Sequence, residues 1–216
     1  MRIAVLGTGM VGRTLGVGLA RVGHEVVLAT RDPDATRARQ EWVGVELPLV
    51  RYAEAGEGAE VVVNATSGSG SLAALQAVGA EALAGKVVLD LSNPLDHSHG
   101  YPPSLFVVNT DSLAEQLQRA FPQVRIVKAF NTMSVSVMVD PSVAGGESTV
   151  FVAGNDPDAR ATVAALAADL GWQDVLDLGD LTAARALEMY IPLWLRIFRT
   201  VGTLMLNIKV VRSAEG

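Results

Sequence analysis

Six residues near the amino terminus, Gly7-Thr8-Gly9-Met10-Val11-Gly12, carry the pattern with the most chemical content in this chain. They follow an apolar run, Arg2-Ile3-Ala4-Val5-Leu6, and open a helical pattern over residues 10–22 that Gly23-His24 closes. In that setting each glycine has a task. Gly7 permits a tight turn, Gly9 lets the backbone approach a pyrophosphate, and Gly12 allows the helix to pack closely on the strand. The helix N-terminus adds amide hydrogens and a partial positive charge. A chance cluster of glycines has no reason to sit between a strand and a helix. Gly16 and Gly18 extend the close-packing face, and all six residues of the turn are assigned to cofactor binding.

The second strand ends Ala29-Thr30-Arg31, where a dinucleotide enzyme selective for NAD presents an acidic residue to the ribose hydroxyls. A hydroxyl and a guanidinium there suit a 2′-phosphate, because arginine donates forked, charge-assisted hydrogen bonds. The pattern therefore predicts NADP(H), with Arg37 and Arg39 as helpers; the competing reading gives the acidic role to Asp32. Three more strand ends should line the nicotinamide crevice: Asn64-Ala65-Thr66, Ser92-Asn93-Pro94 and Asn131-Thr132. Each alone reads equally well as turn chemistry, whereas the set of three points to a site. His97 and His99 lack further ligands in sequence, so no metal site is expected. Lys86, Lys128 and Lys209 sit in no recognisable base or Schiff-base setting. Trp172, Trp194, Phe198 and Met205 read as core or subunit contacts.

The elements that must hold these residues follow from β-branched runs at 2–6, 25–30, 60–64, 86–91 and 125–129, separated by alanine-rich helical stretches. That alternation predicts an α/β, doubly wound Rossmann fold with a mostly parallel sheet. Helices are expected over 111–121 and 157–170, the second opened by Asn155-Asp156-Pro157. Strands at 149–153 and 174–178 and a mostly helical segment from Thr182 form a small C-terminal α/β extension. The expected division is a nucleotide-binding part, 1–141, and a smaller part, 142–216, ending in an apolar helix over 190–206. Residues 67–71, Ser-Gly-Ser-Gly-Ser, and 143–147 read as loops, the first of them flexible.

Half of the 216 residues are hydrophobic and 19% are charged, which excludes a disordered chain. A net charge of -6 argues against a nucleic-acid partner. The absence of cysteine removes disulfides, thiolate nucleophiles and iron-sulfur clusters and fits a reducing compartment. The first apolar run is too short for a signal peptide, and Arg196, Arg199, Asn207 and Lys209 interrupt the apolar stretch 191–211. A cytoplasmic protein without a membrane partner is expected, and the apolar C-terminal helix predicts a homodimer.

The chain resembles the NADPH-dependent coenzyme F420 reductases (F420H2:NADP oxidoreductases) and the related oxidoreductase domain of the STEAP metalloreductases. The resemblance rests on the Gly7 to Gly12 turn, Thr30-Arg31, residues 127–132 (Val-Lys-Ala-Phe-Asn-Thr), 150–156 (Val-Phe-Val-Ala-Gly-Asn-Asp) and Leu178-Gly179-Asp180-Leu181. The middle block is similar to STEAP. The stretch from Ala186-Leu187-Glu188 through Pro192-Leu193 to Ile208-Lys209 is similar to the deazaflavin enzymes. The resemblance implies hydride transfer between NADP(H) and a stacked deazaflavin, coenzyme F420, or FMN or FAD, with the protein positioning more than it protonates. It also implies an acceptor pocket walled by Asn131, Thr132, Met133, Leu206 and Asn207. Two other readings stay open: a reductase of a small imine or ketone with Tyr190 as proton donor, and a non-catalytic NADP(H)-binding redox sensor.

Overall fold

The computed structural model describes residues 1–213. Its strands are β1 (Arg2–Leu6), β2 (Glu25–Thr30), β3 (Leu49–Arg51), β4 (Val61–Asn64), β5 (Val87–Asp90), β6 (Leu95–Asp96), β7 (Ser104–Leu105), β8 (Arg125–Ala129), β9 (Thr149–Gly154) and β10 (Asp174–Asp177). Its helices are α1 (Met10–Arg21), α2 (Pro33–Arg37), α3 (Gly68–Val78), α4 (Ala80–Leu83), α5 (Leu113–Ala120), α6 (Val135–Val139), α7 (Pro157–Asp169), α8 (Ala184–Met189) and α9 (Ile191–Val201).

Eight strands form one sheet in the order β10-β9-β8-β5-β4-β1-β2-β3, and β6 pairs with β7 in a separate hairpin. From β3 to β8 every neighbour is parallel. This is the doubly wound Rossmann arrangement, and its central strands are valine-rich because helices cover both faces. Ile3, Val5 and Val63 point to one face with Leu15 and Leu19 of α1. Ala4, Leu6 and Val62 point to the other with Leu75 of α3 and Leu117 of α5. Strand direction reverses at β9, which runs antiparallel to β8 with Val127 opposite Gly154 and Ala129 opposite Val152. The start of β9 thereby lies at the carboxyl edge of β8, and β10 continues parallel to β9.

Two expectations are corrected. Residues 67–71 are not a flexible loop: Gly68 begins α3, whose Ser71, Ala74, Leu75 and Val78 are buried at helical spacing. Glycine and serine have low helix propensity, but the buried stripe outweighs it. The last helix ends at Val201 rather than continuing to 206, because Gly202 takes φ 79° and terminates it.

The approach to α5 carries a bidentate ion pair, Arg119 to Asp111 at 3.0 and 2.7 Å. Hydrogen bonds from Arg119, helped by Gln116, hold the Asp111 carboxyl down at about 2. A depressed carboxylate stabilises the fold above its unfolded value of about 3.9, and that contribution is lost as pH falls toward the folded value. A carboxyl NMR titration should therefore place the Asp111 midpoint near 2, and Asp111→Asn should flatten the loss of stability below about pH 4.

Candidate nucleotide and hydride-transfer site

At the turn between β1 and α1, Gly7 has φ 105° and donates its amide to the Ala29 carbonyl at 3.0 Å. A Cβ on Gly7 would stand 2.7 Å from the Ala65 carbonyl oxygen, and one on Gly12 would overlap the Gly7 carbonyl oxygen. A Cβ on Gly9 would meet nothing within 4 Å. The first two glycines are thus required by the protein's own packing, while Gly9 faces open space that a ligand can approach. No side chain caps α1, as is also true of α3, α4, α6, α8 and α9, whereas Asp32, Ser112 and Asp156 accept backbone amides at α2, α5 and α7. The α1 amides are left for an anion. Thr8 is buried, its carbonyl accepting from Trp42 Nε1 at 3.3 Å, whereas Met10 is exposed.

At the end of β2, Thr30 is buried with its Oγ1 3.0 Å from Thr36 Oγ1, and Arg39 donates to Thr36 Oγ1 at 3.3 Å. Arg31 is exposed, and its carbonyl accepts from Arg51 Nη1 at 3.2 Å. None of Arg31, Arg39 and Arg51 is paired with a carboxylate among the described residues. Three guanidiniums near the end of β2 are thus left without a carboxylate partner among the described residues. Asp32 accepts the Ala35 amide through Oδ1 at 3.0 Å as the cap of α2. Arg37 instead donates to the Val45 and Leu47 carbonyls at 2.6 and 2.8 Å and covers Trp42, so it props the loop into β3. Arg51 went unnoticed in the sequence because β3 is only three residues long.

Beyond the turn, a cavity of about 230 Å³ opens at the carboxyl ends of β1, β4 and β5. Val11, Ala65, Thr66, Ser92, Asn93 and His97 are among its walls. Gly68 is needed here because a Cβ would overlap the Asn93 carbonyl oxygen. Asn64, Pro94, Asn131 and Thr132 lie behind these walls, buried. Asn131 donates through Nδ2 to Asn93 Oδ1 and to the Leu187 carbonyl, both at 2.9 Å, and its buried Oδ1 has no partner. A larger cavity of about 560 Å³ lies by Asp140, Glu147 and Lys209 at the β10 edge, remote from the glycine turn. Its Lys209 and Asp174 already satisfy each other at 3.0 Å.

Under the crevice is a charged array that the sequence reading missed. Lys128 on β8 is fully buried, with Nζ 2.8 Å from Asp90 Oδ2, 2.8 Å from Glu188 Oε1 and also bonded to the Ser92 carbonyl. Asp90 Oδ1 accepts from Asn64 Nδ2 at 2.8 Å and Ser92 Oγ at 2.7 Å. Asn64 Oδ1 in turn accepts from Thr66 Oγ1 at 2.7 Å, fixing the orientation of a cavity wall. Glu188 also takes the amides of Leu113 and Ala114, in the first turn of α5, at 2.8 and 3.1 Å. Burial pulls the Lys128 pKa down, but Asp90 and Glu188 outweigh it and hold the ammonium above the ordinary lysine value.

Residues 2–94 match the family described as NADP oxidoreductase, coenzyme F420-dependent. The F420-dependent NADP reductase of Methanothermobacter marburgensis is 30% identical over 209 residues, covering 91% of this chain and 92% of that protein. The chain belongs to the F420-dependent NADP reductase family. A protein of Arthrobacter sp. FB24, assigned provisionally as an F420-dependent NADP reductase, superposes with TM-score 0.94 at 54% identity over 98% of this chain and all of its own. Rat metalloreductase STEAP3 is 30% identical over 94% of this chain, which spans only 39% of STEAP3. The chain is therefore an NADP-dependent oxidoreductase, and among its described residues no helix is long and apolar enough to cross a membrane.

In this family member the C-terminal segment returns to the carboxyl edge of the sheet. Ser134 Oγ donates to the Leu204 carbonyl at 2.8 Å, and the Thr149 amide donates to the Ile208 carbonyl at 2.9 Å. Leu206 is buried there, and Asn207 donates to the Thr149 carbonyl at 3.3 Å with its Oδ1 unpartnered. Met133 is buried in the main core, beside the segment rather than open to solvent. Tyr190, at the junction of α8 and α9, has a buried hydroxyl without a partner, and burial pushes its pKa up. Trp194 and Phe198 stack at 5.8 Å along α9.

Proposed function

We propose that the protein exchanges a hydride between NADP(H) and a deazaflavin of the F420 type, with FMN or FAD as weaker acceptors. The observation that carries the cofactor half is the open approach at Gly9 beside an uncapped α1 and three unpaired guanidiniums. The α1 amides would hold the pyrophosphate, Thr30, Arg31, Arg39 and Arg51 the 2′-phosphate, and the walls near Thr66, Ser92 and Asn93 the nicotinamide ribose. Bound there, NADPH supplies the hydride, and a proton from solvent completes reduction of the acceptor ring. The protein's part is to align two rings and exclude water, which needs no strong acid or base. For the acceptor side, Met133, Leu206 and Asn207 at the carboxyl edge would form the remaining wall, and family membership supports the ring chemistry. Mass spectrometry with C4-deuterated NADPH tests this: the label should arrive on carbon of reduced F420. Label found only in water or in no product would defeat the reading.

Arg31→Ala should separate the nucleotides. Loss of a charge-assisted contact to the 2′-phosphate is worth about 1.5–3 kcal/mol. The NADPH dissociation constant should rise roughly 10- to 100-fold, while NADH binding, measured by calorimetry, stays nearly constant. Equal losses for both nucleotides would place the phosphate elsewhere.

Tyr190 supports a second reading, reduction of a small imine or ketone, because its unpartnered phenol stays protonated at neutral pH and can donate. Tyr190→Phe would then abolish turnover of that substrate; full activity of the variant removes this version. The exposed side chains of Leu193, Val201, Leu204 and Met205 favour a homodimer, and the reducing chemistry fits the cytoplasm. Sedimentation should give twice the chain mass.

A further inference from the structure

We propose that Lys128 is a positioning residue for hydride transfer, tying the floor of the nicotinamide crevice to the helix that leads into the acceptor wall. This rests on the acceptor assignment above. A lysine ammonium has three donors and no acceptor, and here each donor has a different task. One goes to Asp90 at the end of β5, one to the Ser92 carbonyl in the cavity wall, and one to Glu188 on α8. Asp90 passes the constraint to Asn64 and so to Thr66, which also lines the cavity. Glu188 passes it to the first turn of α5 and sits two residues before Tyr190, where α9 begins.

A second link runs parallel to the first. Asn131 joins Asn93 in the cavity wall to the Leu187 carbonyl, the residue next to Glu188. One buried cation and one amide therefore supply polar ties between the two halves of the site, beside the apolar packing of Ala184 and Leu187. Neither Lys128 nor Glu188 reaches the cavity, both being at most 1% exposed. Their influence on chemistry must pass through the alignment of the walls they hold.

Single-turnover stopped flow on the full chain tests this, with NADPH and F420 mixed anaerobically. Lys128→Met should lower the hydride-transfer rate constant at least about 10-fold, since misplacement by about 1 Å costs on the order of 100-fold. NADPH binding should stay within about threefold, because the pyrophosphate and 2′-phosphate contacts are made elsewhere. The deuterium isotope effect from C4-labelled NADPH should be expressed on that rate constant. A merely structural role would lower the amplitude, as fewer molecules fold, and leave the rate constant unchanged; that result overturns the proposal. Should Lys128→Met fail to fold, Glu188→Gln decides by the same rate constant, since it keeps an oxygen for Lys128 but sets an amide donor against the Leu113 amide. Wild-type turnover with an unchanged variant rate constant defeats positioning alone. Normal NADPH binding by the wild type with no turnover of F420, FMN or FAD defeats the acceptor assignment and this proposal together.

Discussion

Gly12→Ala should abolish useful NADPH binding, raising the dissociation constant by at least about 100-fold, or roughly 2.8 kcal/mol. The added methyl would overlap the Gly7 carbonyl oxygen, and it would also meet Ala65 Cβ at 3.5 Å. Gly7 cannot yield, because its φ of 105° is set by the turn and its amide is bonded to Ala29. The helix must then move away from the strand, carrying off the amides proposed to hold the pyrophosphate. Gly9→Ala separates ligand from fold. Its methyl meets nothing in the protein, so the melting temperature should be preserved while NADPH binding weakens. Calorimetric titration and thermal melts of both variants check this; tight binding by Gly12→Ala would mean the turn does not hold the cofactor.

The second large effect is on stability. Lys128→Met removes the cation from between Asp90 and Glu188, which are 0 and 1% exposed. Stranding a buried charge in this way costs about 3–5 kcal/mol, a large part of a typical total of about 5–15 kcal/mol. Urea unfolding should show that loss as a lower midpoint. The sign of the pH dependence follows from the raised Lys128 pKa. Its contribution is full below the unfolded lysine value of about 10.4 and is lost as pH rises through the folded value. This contribution to the gap between wild type and variant should therefore be lost in alkali, as the ammonium deprotonates.

The glycine turn and the parallel strands were legible because one physical cause, burial between two helical layers, writes valine runs and turn glycines directly into the sequence. The proposed 2′-phosphate site was half legible. Thr30 and Arg31 stand at a diagnostic strand end, but Arg51 reaches it from a three-residue strand with no periodic signature. Residues 67–71 read as a loop because composition hides the packing of Gly68 against Asn93 and of Ser71 into the core. For Lys128 a signal existed: a lysine and an aspartate fall within predicted buried strands, and β5 and β8 pair with Asp90 opposite Lys128. Their partner Glu188 lies 60 residues further on in sequence and arrives only through the docking of α8. Tertiary closure of that kind leaves no local pattern to read.

The central claim is tested most directly by mixing purified protein with NADPH under anaerobic conditions and following nicotinamide absorbance with F420, FMN, FAD or no acceptor. Rapid oxidation with F420, slower oxidation with FMN or FAD and none without acceptor is the predicted result. Tight NADPH binding with no oxidation by any of the three would contradict it and return the molecule to the sensor or small-substrate readings.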